Sequence, residues 1–175
     1  MKGKAQRLNA LEVALDNEKN ERAFYLEHAG RTKNPLGKTM FEQIADDELE
    51  HYERLKELHK RWKKEEKWPE TVRLAVRKSP VRDLFTKLVG ESGDIPPGDD
   101  DDLKAIRIAV DFEAKGAQHY AGLRDGSSDE KERAFFDLLS SMEREHYLSL
   151  RDTEEFLTDP VSWYRRTESP GLDGA

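Results

Sequence analysis

The chain of 175 residues contains no cysteine. That excludes disulfides, a catalytic thiol, an iron–sulfur cluster and any thiolate-bound metal. Long apolar runs are missing too. No stretch approaches the ~20 apolar residues of a membrane span. The opening segment, MKGKAQRLNALEVALDNEKNE, lacks the apolar centre of a signal peptide. A cytoplasmic protein with no membrane partner is therefore expected. There is no basic excess: the net charge of −7 argues against a nucleic-acid partner, because neutralising phosphates needs a positive face. Proline is scarce, with seven in all, and leaves four long segments unbroken.

What the chain has instead is charge in a helical rhythm. It is 38% charged and 35% hydrophobic, a balance suited to amphipathic helices. Helical periodicity predicts helices over about 5–30, 36–64, 101–123 and 128–157. The breakers between them are Asn34-Pro35, Gly126-Ser127-Ser128-Asp129 and Asp159-Pro160. The second and third helices are joined by a long Pro- and Gly-containing connection, Trp68 to Asp100, with room for a short helix near Val81–Leu88. Short links within each pair and a long one between them predict an all-α four-helix bundle of two helical hairpins with one crossover. The expected division is a bundle over 1–157, with its crossover at 66–100, and a tail over 158–175. The tail holds Trp163 and Tyr164, as a strap that packs its aromatics or as a dimer contact.

The stripe along the second helix reads Phe41, Ile44, Glu48, His51, Leu55, Leu58, Trp62, and along the fourth Phe136, Leu139, Glu143, His146, Leu150, Thr153, Leu157. Steps of three and four place each Glu and His on the inward face. The two halves are related by a shift of 95 without a gap: Glu18 maps to Glu113, Tyr25 to Tyr120, Glu48 to Glu143 and His51 to His146. Glu18 and Glu113 also lie on apolar stripes, with a Tyr two turns further on. Four inward carboxylates and two imidazoles are costly to bury unpaired, whereas two divalent cations neutralise the set. The competing reading is a metal-free polar network, which has few donors to satisfy so many acceptors.

The motifs ALDNEKNERAFY with DDELEH, and AVDFEAKGAQHY with SMEREH, resemble those of the ferritin-like superfamily, specifically its rubrerythrin-type di-iron proteins, over about 5–157. The resemblance implies that Glu18 and Glu113 are terminal ligands, one per metal. Glu48 and Glu143 would bridge, His51 and His146 would complete the coordination spheres, and Tyr25 and Tyr120 would orient ligand carboxylates. It implies two iron ions, with manganese or zinc as chemically admissible occupants. It also implies peroxide or O2 as substrate and a homodimer. Full-length rubrerythrins carry a four-cysteine rubredoxin-like site; its absence here implies an external electron donor. Peroxidase-type rubrerythrins have a carboxylate three residues after the third-helix Glu. Here that position is Gly116, so a plain symmetric site is expected.

The leading expectation is a non-haem di-iron oxidoreductase of oxidative-stress defence. The alternatives are a ferroxidase or iron-handling protein, and a structural bundle stapled by metal. His28, His59 and His119 have no symmetric counterparts and are read as surface or near-surface residues. The run Asp99–Asp102 lacks the ligand spacing of a calcium loop and is read as an acidic helix cap. The basic run from Arg61 to Lys67 suits the opposite, C-terminal pole of the second helix.

Overall fold

A computed structural model describes residues 3–64, 77–91 and 94–168. Residues 65–76 and 92–93, which take in parts of the expected crossover (Trp68 and Pro69 among them) and the end of the basic run, and the last residues of the tail (169–175) lie outside the described residues. The elements are α1 (Lys4–Arg31), α2 (Pro35–Lys64), α3 (Val81–Glu91), α4 (Asp100–Asp125), α5 (Glu130–Thr158) and α6 (Pro160–Glu168). Among the described residues there is no strand. Moved by 95, α1 and α2 fall on 99–126 and 130–159, within one residue of α4 and α5 at every end.

Local chemistry sets the boundaries. Asn34 caps α2, its Oδ1 accepting from the N–H groups of Leu36 and Gly37 at 3.1 and 3.2 Å, while Pro35 supplies a preset φ at the first position. Asp99 and Asp102 form a reciprocal capping box at the start of α4, which accounts for the acidic run. Asp129 caps α5 by accepting from Lys131 and Glu132 at 2.9 and 3.1 Å.

α1 packs along α2 and α4 along α5, giving two hairpins that close face to face. The apolar core is split into two blocks. One, around Phe41, Ile44, Ile106 and Phe156, lies toward α3; the other, around Leu11, Leu58, Phe136 and Leu139, lies toward the far end. Each fully buried Phe or Leu contributes roughly 1.5–3 kcal/mol. A polar layer falls between the two blocks in sequence on every helix of the bundle, a buried Glu on α1 and α4 and a buried Glu and His on α2 and α5.

α3 buries Val81, Phe85 and Val89 against α2 and α5. α6 was not expected as a helix, because Asp159-Pro160 reads as a stop. It is also a start: Asp159 Oδ1 accepts from Ser162 N–H at 3.0 Å and Pro160 takes the first helical position. Trp163 and Tyr164 then find partners within the chain. Trp163 meets Phe85 and Phe156 edge-on, and the Tyr164 hydroxyl donates to the Val89 carbonyl at 2.7 Å. Within the chain, the tail aromatics thus act as a strap.

Candidate metal centre

Each of the four bundle helices brings its share of the cluster to one level. α1 contributes Glu18, α2 Glu48 and His51, α4 Glu113, and α5 Glu143 and His146, and all six are 0–2% exposed. The Glu-x-x-His spacing puts both side chains of a helix on one face, about one turn apart. His51 Nδ1 stands 3.0 Å from Glu143, 3.3 Å from Glu18 and 3.5 Å from Glu48. His146 Nδ1 stands 3.3 Å from both Glu48 and Glu113. The imidazoles face each other nearly parallel, 5.9 Å apart.

Ligand atoms within 4.8 Å of one another form two sets: Glu18, Glu48, His51 and Glu143, and Glu48, Glu113, Glu143 and His146. Glu48 and Glu143 belong to both. The carboxylates of Glu18 and Glu113 are held from the opposite hairpin. Tyr25 donates to Glu113 Oε1, and Tyr120 donates to Glu18 Oε1. In both cases Oε2 is the atom nearest an imidazole.

The electrostatics show what the cluster costs as a metal-free assembly. Burial, then the charge of Glu48, pushes Glu18 up to about 8. Burial and the neighbouring carboxylates push Glu143 well above the usual range. Burial opposes charging of His51 and His146, but the surrounding carboxylates win and both are raised well above an ordinary imidazole. Burial pushes Glu48 up as well, yet the nearness of Glu18 and both imidazoles outweighs it and holds Glu48 ionised. Bound protons and bound cations are thus alternative ways to offset the same buried charge. The fit to cations is direct. Glu18 Oε2, both oxygens of Glu48, both of Glu143 and His51 Nδ1 are buried without a well-aligned hydrogen-bond partner among the described residues. Hard carboxylate oxygens with two imidazoles suit iron, manganese or zinc.

Comparison with protein families matches residues 9–154 to the rubrerythrin model. The chain belongs to the rubrerythrin family. With its helical architecture, membership establishes a ferritin-like bundle, and with the buried Glu and His cluster it supports a di-iron carboxylate protein. No curated protein and no solved structure matches the chain. Among the described residues, no helix is long and apolar enough to cross a membrane.

The expected site residues all converge, while His28, His59 and His119 stay outside the cluster; His59 pairs with Glu12 at 3.1 Å. Two residues went unnoticed in the sequence. Glu21, one turn beyond Glu18, is pushed up to about 10 by burial and by the charges of Glu48, Glu113 and Glu18. Its counterpart at a shift of 95 is Gly116. A Cβ there would lie 3.1 Å from Glu143 Oε2, so the glycine leaves space where α1 carries an acid. Asp47, fully buried, approaches His146 Nε2 at 3.0 Å; its counterpart is Met142. The six-residue set is symmetric, whereas its surroundings are not. Mapping Gly116 back by 95 points to Glu21, and the 44–47–51 spacing points to Asp47.

Proposed function

We propose that this rubrerythrin-family protein is a non-haem dinuclear iron oxidoreductase that reduces hydrogen peroxide or O2 in oxidative-stress defence. Glu18 and Glu113 would each serve one ion as a terminal ligand, Glu48 and Glu143 would be shared between the ions, and His51 and His146 would each complete one coordination sphere. The observation that carries the reading is the sharing of Glu48 and Glu143 between two overlapping four-residue sets. A bridged ferrous pair supplies two electrons, the number that takes H2O2 with two protons to two waters. The protein's part is positional. Tyr25 and Tyr120 fix the terminal carboxylates, and the two apolar blocks keep water from the cluster along the bundle axis. The electrons that restore the ferrous state would come from a redox donor.

The test is anaerobic stopped-flow mixing of the Fe(II)-loaded protein with H2O2. Rapid oxidation, faster than that of free Fe(II), is expected. Protein-bound iron that stays ferrous while free Fe(II) oxidises overturns the reading.

A further inference from the structure

His51 and His146 occupy equivalent places in the two halves, yet they are held differently. Both are fully buried and turn Nδ1 to the carboxylates. On the far side of His146, Nε2 lies 3.0 Å from Asp47 Oδ2. Asp47 is itself fixed. The Gln43 amide donates to Oδ1 at 3.0 Å, the Ser79 hydroxyl donates to Oδ2, and the Arg77 guanidinium stands 3.9 Å from Oδ1. Arg77 and Ser79 lie in the crossover just before α3, and Ser79 Oγ also accepts from the Val81 N–H at 3.2 Å. The crossover therefore clamps the carboxylate that holds His146.

His51 has no such support. Its Nε2 is buried and has no hydrogen-bond partner among the described residues. The residue corresponding to Asp47 is Met142, whose thioether offers no anionic acceptor. A carboxylate on the far nitrogen of a ligand imidazole keeps the hydrogen there and frees the near nitrogen's lone pair for a cation. It also fixes the ring plane and raises the ring's basicity.

We propose that Asp47 makes the two metal positions unequal: the position bounded by Glu113 and His146 fills first and holds its ion more tightly than the one bounded by Glu18 and His51. This rests on the dinuclear reading above. Asp47 acts through His146 and is a positioning residue, and Ser79 makes the crossover part of the support of the centre.

The experiment is titration of the metal-free full chain with Co(II), followed by calorimetry and by ligand-field absorption. Two binding steps separated by about tenfold or more are expected. Asp47→Asn weakens the tighter step by about 10–100-fold and leaves the other within about threefold. Ser79→Ala does the same to a smaller degree while keeping Asp47, so it reports even where Asp47→Asn folds poorly. Met142→Asp strengthens the weaker step. A merely structural role for Asp47 would move both steps together. Two equal steps in the parent protein, or equal weakening of both steps in the Asp47 and Ser79 variants, overturns the proposal. A chain that binds no Co(II) contradicts the dinuclear reading itself and the inference with it.

Discussion

Tyr25, on α1, donates its phenolic hydrogen to Oε1 of Glu113, on α4, so one hairpin orients the terminal carboxylate of the other. Tyr120 does the same for Glu18. Tyr25→Phe leaves Glu113 Oε1 buried without that donor and frees the carboxylate to rotate. Affinity for the ion at the Glu113 position is expected to fall about tenfold, with a cost of ~1–3 kcal/mol to the folded chain. Tyr120→Phe is expected to act on the Glu18 position instead. Metal titration of both variants checks this, and loss at the same position in each would contradict it.

The metal-free protein is expected to lose stability as pH rises. Glu18 has an ordinary value of 4.5 and is pushed up to about 8 by burial first, so between those values the folded chain holds a proton that the unfolded chain has released. Glu143 is raised for the same first reason. The imidazoles of His51 and His146 are raised above 6.5, so their contribution is present below that pH and is lost as pH climbs through the folded values. Glu48, lowered, acts the other way, but its window lies below 4.5. Melting temperatures of chelator-treated protein should fall from about pH 5 to beyond pH 8; a rise over that range would refute the protonated cluster.

Metal loading reverses the sign, because cations displace those protons. Uptake is expected to release protons and to tighten with pH. A loaded site at about 100-fold excess over its Kd adds ~2.7 kcal/mol, or roughly 5–10 °C in melting temperature for a chain of this size. Melting curves with and without chelator, and calorimetry in two buffers of different ionisation enthalpy, test both parts.

Gly116→Ala separates the site from the fold. Alanine favours an α-helix over glycine by about 1 kcal/mol, so the metal-free protein should be as stable as before or more so. The new Cβ, 3.1 Å from Glu143 Oε2, pushes on a carboxylate common to both residue sets. Metal affinity is expected to fall several-fold, on the order of 1 kcal/mol, while the empty chain melts no lower. Equal affinity in variant and parent would show that Glu143 has room to give.

Much of this was legible in the sequence because it rests on short periods. The 95-residue repeat, the Glu-x-x-His pairs and the breakers at Asn34-Pro35 and Gly126–Asp129 place the bundle helices and the six inward groups, and the structure brings those groups together. α6 was missed because Asp-Pro signals both a stop and a start, and only its packing on Phe85 and Phe156 decides between them. The 44–47–51 spacing turns Asp47 inward, but its partner His146 lies 99 residues away on another helix, and that pairing is not encoded in periodicity. Glu21 was not legible for a different reason: a repeat marks what both halves share, and Glu21 matters by differing from Gly116.

On the proposed reading, six buried side chains converge because a pair of cations belongs among them. Elemental analysis of the chain loaded anaerobically with Fe(II) and then desalted tests it most directly. Two iron ions per chain are predicted, one for each overlapping set, with nearly complete loss when Glu48 and Glu143 are both replaced by alanine. Retention of no iron by the parent chain, or equal retention by parent and variant, would contradict it.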